Sequence, residues 1–489
     1  MAIYQLILGN QLFYPFDHLK KDIPIIMIEH KDLCKDRAHH RVKIAFFFSA
    51  MRHYKTSLEA AGFSVIYERY NPNERQSFGQ VLTRLAPKIS SLSLIEIVDL
   101  QVSDAIHDLC HRQGIKTTVI PSRMFINPID HFTDYLNSVK KPFMKTYYER
   151  VRKSSHILME NGKPVGGKFS FDEMNRKKCP RDLKIPLRQF PNHCEIRREV
   201  IIQVNRDFSD HPGDANELWL PVTRSESLDW WNDFLTRYFT LFGDYEDAIE
   251  PRNDFLFHSA ISPLLNIGLL TPKDIIRSAL AYQNKVPINA LEGFIRQVMG
   301  WREFIRGIYA HYNDTQQNHN HFNHHRHLNH HWWSGSTGHL PLDDAIQVTL
   351  KRGYTHHINR LMIIGQTMLT CEIKPQAVYD WFMALYVDSS DWVMGPNVFG
   401  MSQFSDGGIF ATKPYICGSN YIRKMSHYGQ GDWCDIADGL YWRFIANHKA
   451  FFAKNARMGL AVKSLEKMAA EKKVRLFKAS DTFISKVTK

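Results

Sequence analysis

The chain has 489 residues, 44% of them hydrophobic and 23% charged, which is long enough for two or three domains with sizeable cores. No apolar run reaches the ~18 residues of a membrane helix, and the N-terminus lacks the features of a signal peptide, so we expect a cytoplasmic protein that does not span a membrane. The formal net charge of +12 favours a polyanionic partner, most commonly nucleic acid, although basic enzymes without such partners exist.

Residues 1–121 alternate strand-like and helix-like segments. Short apolar runs predict buried strands at Tyr4–Leu8, Ile23–Ile28, Ser64–Tyr67, Leu94–Val98 and Thr117–Ile120. Helical spacing predicts helices at Arg41–Ala61, Ser77–Ala86 and Ser103–Gln113. Strands separated by helices predict an α/β domain with a parallel five-stranded, Rossmann-like sheet.

The first predicted strand is not followed by the usual dinucleotide-binding glycines. Gly9, Asn10 and Gln11 stand where a Gly-x-Gly-x-x-Gly motif would begin, which argues against an ordinary dinucleotide site. Ligands can still bind at the carboxyl ends of parallel strands, where Asn10, Gln11 and Glu29 are predicted to lie.

The rest of the chain changes in character. Residues 122–225 are charged and rich in proline, as in Arg176–Arg181, and predict a long, partly helical connector on the surface. From about Ser227 onward, aromatic and leucine residues recur at helical spacing, so residues 226–489 predict a larger all-α domain. Its basic end, Lys463–Lys489, is expected to fray or to lie on the surface.

Seven of the thirteen residues in the segment 319–331 are histidines. Metal binding is one interpretation, because imidazole is a common metal ligand. The other is an exposed loop whose protonated histidines contact DNA phosphates. We prefer the loop and predict no metal site, because the segment has no cysteine or acidic residue to complete or orient one.

One block with the chemistry of a binding site runs from His258 to Leu270. Ser259 and Ser262 precede a helix that is predicted to start near Pro263. Hydroxyls and free backbone N–H groups at a helix start can hold a pyrophosphate. The same Ser-x-x-Ser-Pro pattern also occurs as a simple helix cap, so the block by itself is a weak signal.

Two further blocks combine aromatic residues with polar ones. Gly293–Phe304 places Gln297 and Arg302 along one stretch of helix. Tyr386–Asn397, followed by Gly400–Gly408, sets acidic side chains beside an irregular Gly/Pro loop, where they can bind ribityl or ribose hydroxyls. The alternative for both is an aromatic-rich helical core with a polar loop.

Between these blocks lies a short helix with two adjacent histidines, His356 and His357, and with Arg360. Neighbouring residues on a helix point about 100° apart, so only one histidine can face a given pocket. Arg360, three positions after His357, shares its face. Such a face offers a proton donor beside a fixed positive charge, which suits an anionic substrate or cofactor. The alternative is a partly exposed helix with two ordinary histidines.

In this order, the blocks resemble those of the photolyase/cryptochrome flavoproteins. The resemblance covers nearly the whole chain and includes Gly9–Leu12, Phe48–His53 and Gly243–Asp247. It is closest to the bacterial branch called iron–sulfur bacterial cryptochromes and photolyases, which includes the prokaryotic (6-4) photolyases. It implies a helical domain that binds FAD and a monomeric protein that acts on UV-damaged DNA.

The resemblance also implies which residues bind FAD. The positions that match the family's flavin-binding residues are Tyr245, His258, Ser259, Ile261, Ser262, Gln297, Arg302, Arg360, Asp388 and Asp391.

For catalysis, the resemblance implies that His357 is the catalytic histidine and that His356 is its neighbour. Trp381 and Trp333 match the aromatic residues that carry electrons to the flavin. Two positions depart from the family. Phe382 stands where a tyrosine is common, and Met394 replaces an acidic residue expected near flavin N5.

In the first domain, the resemblance implies an antenna site for 6,7-dimethyl-8-ribityllumazine. Gln11, Glu29 and Tyr54 match the positions that hold this chromophore, whereas Asn10 replaces a common aspartate. The antenna would absorb light and pass the excitation to FAD.

The bacterial branch holds a [4Fe–4S] cluster, which requires four thiolates. The helical domain of this chain has only three cysteines, Cys371, Cys417 and Cys434. Pro341, Gly429 and Asp432 stand where the resemblance leads us to expect others. We therefore predict that no iron–sulfur cluster forms.

The expected function is light-dependent repair of a pyrimidine (6-4) photoproduct, by electron transfer from reduced FAD and with His357 as proton donor. The main alternative is a cryptochrome-type blue-light photosensor that binds FAD without repair. A third possibility is a helical nucleic-acid-binding protein without flavin.

Overall fold

The computed structural model of the chain describes residues 2–30, 37–86, 89–192, 194–455 and 458–489. Within these ranges, the first part of the chain forms a five-stranded parallel sheet in the spatial order β3-β2-β1-β4-β5. The strands are β1 Ala2–Leu6, β2 Ile25–Ile28, β3 Val65–Glu68, β4 Ile89–Ile95 and β5 Lys116–Ile120. The predicted α/β fold of the first domain is confirmed.

The central strands are apolar because both faces of the sheet are covered by other elements. All four residues of β2 are buried, and Leu6 of β1 pairs with Ile26 on one side and Leu94 on the other. The fourth strand begins at Ile89 rather than at the predicted Leu94, because serine and apolar residues alternate there as in a half-buried strand. The connecting helices are α1 Arg41–Ala60, α2 Phe78–Leu85 and α3 Leu100–Arg112.

The remainder of the described chain is mostly helical, as predicted. The segment after the sheet contains a small antiparallel hairpin, β6 Met159–Glu160 with β7 Lys163–Pro164. Its helices are α4 Ile129–Asn137, α5 Met144–Ser155 and α6 Glu195–Asp207. The next group is α7 Arg224–Arg237, α8 Phe239–Phe242, α9 Ser262–Ile267, α10 Pro272–Leu280, α11 Ile288–Ile295, α12 Arg302–Asn318, α13 His331–Ser334 and α14 Leu340–Arg352. The last group is α15 Gln366–Thr370, α16 Pro375–Leu385, α17 Asp391–Gly395, α18 Ser419–Met425, α19 Asp432–Asn447, α20 Lys449–Lys454, α21 Gly459–Glu466 and α22 Ala470–Val487.

Residues 122–225 contribute more to the core than a surface connector would. Val200 and Val204 of α6 are fully buried and belong to the same apolar core as Val42 of α1. The helix α6 of this segment therefore packs in the core against the sheet domain. The boundaries at residues 121 and 225 remain predictions.

Two contacts join α1 to the helical body directly beside the candidate site. The His40 backbone N–H donates to the Ala384 carbonyl at 2.8 Å, and the buried Lys43 ammonium donates to the Ser389 hydroxyl at 2.7 Å. Burial lowers the pKa of Lys43 to about 8, with nearby carboxylates opposing that shift. These contacts attach the sheet domain to the part of the helical body that contains Asp388.

The basic C-terminal end does not fray. Phe483, Ile484 and Val487 of α22 are buried in an apolar cluster with residues of α19. The histidine-rich segment 319–331 is tied down by two isolated bridges, one to Ile373 and one to Thr488. Most of its histidines are exposed or half-buried, but His324 is buried against Phe322.

Candidate active site

Three π-helical segments line one region of the helical body. They are Arg296–Trp301, Asn359–Gly365 and Pro396–Ser402. π-Helices are rare and occur often at functional sites. Two of the segments approach so closely that a Cβ atom on Gly365 would lie 2.2 Å from the Ser402 hydroxyl, so only glycine fits there.

The segments enclose two adjoining cavities, an inner one of about 320 Å³ and an outer one of about 850 Å³. These volumes are typical of sites for small molecules and cofactors. The loop before α9 contributes His258, Ser259, Ile261 and Ser262 to the inner cavity. The helices contribute Gln297, Arg302, His357, Arg360 and Asp388.

Arg360 and Asp388 form a buried ion pair at the cavity wall. The guanidinium donates to both carboxylate oxygens, at 2.9 and 3.2 Å, and its Nε donates to the Thr355 carbonyl at 2.6 Å. The Ser262 hydroxyl also donates to Asp388, at 2.6 Å. This network links the loop before α9 to two helices and fixes the positions of all three side chains.

Arg302 lies in the cavity wall without a carboxylate partner. Its guanidinium donates to the Asn266 side-chain oxygen at 2.6 Å and stacks over the Trp392 ring at 4.8 Å. The salt bridges among the described residues include none with Arg302. Burial lowers its pKa to about 9, because its charge is poorly compensated. An anionic ligand in the cavity would supply the missing charge.

The two adjacent histidines occupy different environments. His357 lines both cavities and is exposed to them, although protein surrounds the ring. His356 is buried and stacks face to face on His258, with ring centroids 4.7 Å apart. Neither Nδ1 of His356 nor Nε2 of His258 has a hydrogen-bond partner among the residues that the structure describes.

All three of these imidazoles are held in the neutral form. Burial, assisted by the nearby Arg360 charge, lowers the pKa of His357 to about 4. Burial lowers the pKa of His258 to about 3 and that of His356 well below its ordinary value. The site therefore has no histidine positive charge at neutral pH unless a ligand adds negative charge.

A chain of aromatic rings connects the inner cavity to the surface. Phe382 lines the cavity, and its ring centroid is 5.3 Å from that of Trp381, which is fully buried. Trp381 is in turn 6.5 Å from Trp333, whose side chain is 41% exposed. Both predicted tryptophans thus lie on one path between solvent and the cavity.

Two predicted flavin-binding residues do not line either cavity. Tyr245 packs against the Phe257 ring, with centroids 5.5 Å apart. Asp391 accepts a hydrogen bond from the Tyr379 hydroxyl and lies next to Asp99, whose pKa is raised to about 7 by burial and by the Asp391 charge. Both side chains are half-buried and contact neighbouring protein groups.

The three predicted antenna residues are bonded to protein groups. The Gln11 side chain accepts from the Leu8 N–H at 3.1 Å and donates to the Ile95 carbonyl at 3.0 Å. The Tyr54 hydroxyl donates to the Phe13 carbonyl at 3.0 Å. The Gln11 amide nitrogen also donates to the Glu96 carbonyl at 3.4 Å, so both of its N–H groups and the Tyr54 hydroxyl are bonded to protein groups.

Glu29 is the most extensively bonded of the predicted antenna residues. Its carboxylate accepts from Arg52 at 2.8 and 2.9 Å, from the Tyr67 hydroxyl and from the Tyr70 N–H. A carboxylate offers about four lone pairs, so these bonds use its capacity to accept. The sequence pattern does not reveal this ion pair, because Arg52 lies 23 positions further along the chain.

Two acidic cavity residues escaped the sequence prediction, Glu246 and Asp247. Both line the inner and outer cavities. Burial raises the pKa of Glu246 to about 7 and that of Asp247 to about 6. In the sequence, both residues belong to the Gly243–Asp247 block, of which only Tyr245 was predicted to bind FAD.

The chain is similar over its full length to a protein of known character. A (6-4) photolyase from Agrobacterium fabrum is 33% identical over 508 aligned residues, with all of both chains covered. The chain belongs to the photolyase/cryptochrome family. A family profile described as "Deoxyribodipyrimidine photo-lyase-related protein" matches residues 5–220. An uncharacterised protein of Acanthamoeba polyphaga mimivirus is 45% identical over 101 residues, which are 20% of this chain and 82% of that protein.

Solved structures of photolyase/cryptochrome proteins share the fold. A bacterial class III photolyase from Agrobacterium tumefaciens superposes with a TM-score of 0.56 at 15% identity, covering 99% of this chain and 98% of that one. A cryptochrome from Synechocystis sp. superposes with a TM-score of 0.57 at 13% identity, covering 99% of both chains. At these identities the likeness establishes the architecture alone.

The cysteines of this photolyase/cryptochrome chain do not fit a four-thiolate cluster. Cys371 is fully buried and Cys434 nearly so, while Cys417 lines the outer cavity. Burial raises the pKa of the Cys417 thiol to about 12. In the described ranges, no group of three or more His, Cys, Asp or Glu side chains is arranged to hold a metal ion. None of the helices described has the length and hydrophobicity of a membrane span.

Proposed function

We propose that this protein repairs pyrimidine (6-4) photoproducts in DNA, using light and FAD. The observation that carries the proposal is the cavity that His357 and the Arg302 guanidinium both line, Arg302 having no carboxylate partner among the described residues. The family membership and the full-length similarity to a (6-4) photolyase support it. The net charge of +12 supports a nucleic-acid substrate.

The residues of the cavity fit FAD. Arg302 has no carboxylate partner among the described residues and Ser259 adds a hydroxyl, so the wall suits a pyrophosphate. Ser262, whose hydroxyl donates to Asp388, would hold that carboxylate in place beside the cofactor. Gln297, Arg360 and Asp388, with His258 and Ile261, would hold the remainder of the cofactor. When bound and reduced, FAD supplies one electron upon absorption of light. Tyr245 and Asp391 would act by positioning this shell, since neither lines the cavity.

In this proposal, His357 supplies a proton to the lesion through a ring nitrogen. The unliganded site keeps its imidazole neutral, because burial and Arg360 lower its pKa to about 4. A DNA lesion would bring negative phosphates toward the site and thereby raise that pKa. His356 is stacked on His258 and would hold the wall behind the donor in place.

The Phe382, Trp381 and Trp333 rings would carry electrons from an external reductant to the cavity. Trp333 is accessible at the surface, and Trp381 is anchored by a 3.1 Å hydrogen bond from its indole to the Trp332 carbonyl. Phe382 is harder to oxidise than the tyrosine common in the family. It would therefore bridge Trp381 and the cavity without being oxidised itself.

The DNA would be held by basic residues around the outer cavity. Lys413 and Arg176 line that cavity, and Arg423 and Lys424 are exposed on α18. Phosphate contacts of this kind position the duplex without reading its sequence. Flipping the lesion costs a few kcal/mol, less for a damaged and already unstacked base.

The other parts of the prediction remain proposals. A lumazine antenna in the first domain would need contacts other than the side chains of Gln11, Glu29 and Tyr54 as they now stand. We propose that no iron–sulfur cluster forms, that the protein is a monomer and that it acts in the cytoplasm.

The alternative proposal is a blue-light photosensor of the cryptochrome type. The observation that favours it is Met394, a thioether that lines the inner cavity where an acidic residue was expected. Such a protein would keep the flavin and lose the repair reaction.

The test is repair of a (6-4) photoproduct oligonucleotide by the purified protein with reduced FAD, under blue light and in the dark. A cyclobutane-dimer oligonucleotide is the matched substrate control. We expect light-dependent repair of the (6-4) lesion only. Absence of repair by a flavin-loaded protein would favour the photosensor, and a protein that binds no flavin would contradict both proposals.

A further inference from the structure

Glu246 is a cavity residue that neither the proton donor nor the electron path uses. It lies in the loop after α8 and lines both cavities. Its carboxyl oxygens accept hydrogen bonds from the Gln297 side-chain amide at 2.7 Å and from the Asn175 side-chain amide. Two of its roughly four lone pairs are therefore engaged.

The structure around this carboxyl group is closely fitted. Asn175 is buried at 1% exposure, and a Cβ atom on Gly293 would lie 3.2 Å from its amide nitrogen and 3.3 Å from the Glu246 carboxyl. Glycine at that position lets the connector, the loop after α8 and α11 meet at Glu246. Three parts of the chain therefore hold the Glu246 carboxyl group in place.

The hydrogen bond to Glu246 also orients Gln297. An amide side chain can be turned either way, but only its nitrogen can donate to the carboxyl oxygen. The second N–H of the same nitrogen remains for another acceptor. Glu246 and Gln297 therefore present an acceptor and a donor next to each other at the cavity wall.

Three charged groups and one neutral ring surround Glu246. They are Arg296 on the first π-helical segment, Asp247 next to Glu246 in the chain, Asp172 from the connector and the neutral His258 ring, which bonds to the Glu246 backbone. Arg296 is already bound to Glu292 and Asp172, at 3.2 Å each. Burial, followed by Asp247 and Asp172, raises the pKa of Glu246 to about 7, against the lowering effect of Arg296.

A carboxyl group in this place would repel phosphate, so it suits a part of the ligand that donates hydrogen bonds. Nucleobases offer such an edge, with an N–H donor next to an acceptor. We propose that Glu246 and Gln297 together bind the hydrogen-bonding edge of a nucleobase in this cavity. The inference rests on the proposed function, because both FAD and the flipped lesion carry such a base.

The experiment compares Glu246→Gln with Glu173→Gln, which changes an exposed acid of the connector outside the cavity. One arm titrates the apoprotein with FAD and follows flavin fluorescence. The other arm measures dark binding of (6-4) lesion DNA to the FAD-loaded protein, with undamaged DNA of the same sequence as reference.

We expect Glu246→Gln to weaken one of the two ligands by roughly tenfold to 100-fold at pH 8, since a hydrogen bond to a charged group is lost. Weaker FAD binding would assign the base to the cofactor, and weaker lesion binding would assign it to the DNA. Glu173→Gln should bind both ligands as the unmodified protein does. Normal binding of both ligands by Glu246→Gln would overturn the inference while leaving repair by the unmodified protein intact.

A second measurement does not depend on the folding of that variant. In the unmodified protein, affinity for the same ligand should rise between pH 6 and pH 8, because the carboxylate accepts better once ionised. The Asp247→Asn variant distinguishes the titration of Glu246 from that of the neighbouring Asp247, whose pKa is raised to about 6 by burial and Asp172. Affinity that does not change with pH, or whose pH dependence vanishes only in Asp247→Asn, would contradict the assignment to Glu246.

Discussion

The sheet edge of the first domain and the cavity of the helical domain were both predicted to bind chromophores, and they differ in how far their polar groups are satisfied. At the sheet edge, the Glu29 carboxylate is bonded to Arg52 and to two tyrosines of the same domain. In the cavity, Arg302 lacks a carboxylate partner, and His258 and His356 each keep a ring nitrogen without a hydrogen bond.

The difference follows from the cost of burying polar groups. A buried donor or acceptor without a partner costs about 1–3 kcal/mol, and more when it is charged. At the sheet edge, the Glu29 carboxylate and the Gln11 amide are bonded to protein groups, which gain stability without a ligand. A cavity that leaves such atoms unbonded is most stable when a ligand completes them, which is the expectation for a cofactor site.

The largest effect should come from His357. His357→Ala should lower light-dependent repair roughly 10²–10⁴-fold, the usual contribution of a general acid, while flavin binding and photoreduction persist because Trp381 and Trp333 are unchanged. Repair kinetics and the visible spectrum of each variant are the measurements. His111→Ala, which changes an exposed histidine of α3 outside the cavity, is the control. Near-normal repair by His357→Ala would show that His357 is not the proton donor.

At the sheet edge, Glu29→Ala should destabilise the protein by roughly 3–5 kcal/mol, because it leaves the Arg52 guanidinium buried without its partner. Glu199→Ala, at the half-exposed acid on the other side of Arg52, should cost about 0–1 kcal/mol. Urea unfolding of both variants checks this. If Glu29→Ala instead loses short-wavelength antenna absorption at unchanged stability, the sheet edge is a ligand site and the contrast with the cavity fails.

Acid sensitivity should distinguish the cavity through its neutral histidines. The pKa of His258 is about 3 in the folded protein because of burial, against roughly 6.5 when unfolded. The unfolded chain therefore binds this proton first, and stability that is complete above pH 6.5 is lost as the pH falls. His258 alone should contribute a slope of about 1.4 kcal/mol per pH unit below that pH.

The measurement is the urea midpoint of the unmodified protein and of His258→Gln between pH 5 and pH 7. Glu246 titrates in the opposite sense in the same window, because its folded pKa is raised, so the comparison is between the two proteins. His258→Gln should show the weaker loss of stability toward acid. Equal slopes would mean that His258 is already protonated in the folded state.

The smallest expected effect concerns DNA binding around the outer cavity. Lys413→Ala should reduce the slope of log affinity against log salt by about 1, the contribution of one phosphate contact. Lys116→Ala, an exposed lysine on the edge strand β5, should leave the slope unchanged. Salt titrations with undamaged duplex are the measurement. An equal change in both variants would place DNA on the sheet domain as well as on the helical one.

Much of the architecture was accessible from local sequence patterns. Alternating apolar runs and helical spacings predicted five strands and their crossover helices, because burial on both faces of a parallel sheet leaves a continuous apolar signature. The pairing of His357 with Arg360 on one wall followed from their spacing of three residues. Motif resemblance supplied most of the cavity residues, since those blocks are contiguous in the chain.

The sequence alone determined the fold class and the segments that carry the site, because periodicity and motifs are local properties. Only the tertiary structure decided which side chains face the cavity. Tyr245 and Asp391 contact other protein groups and do not line the cavities, and Glu29 forms an ion pair with Arg52. Glu246 lines the cavity although the sequence analysis did not predict it. The physical reason is that the direction of each of these side chains is set by contacts with segments distant in the chain, such as Phe257 for Tyr245, Tyr379 for Asp391 and Asn175 for Glu246. Partners distant in sequence then decide which polar groups remain free for a ligand.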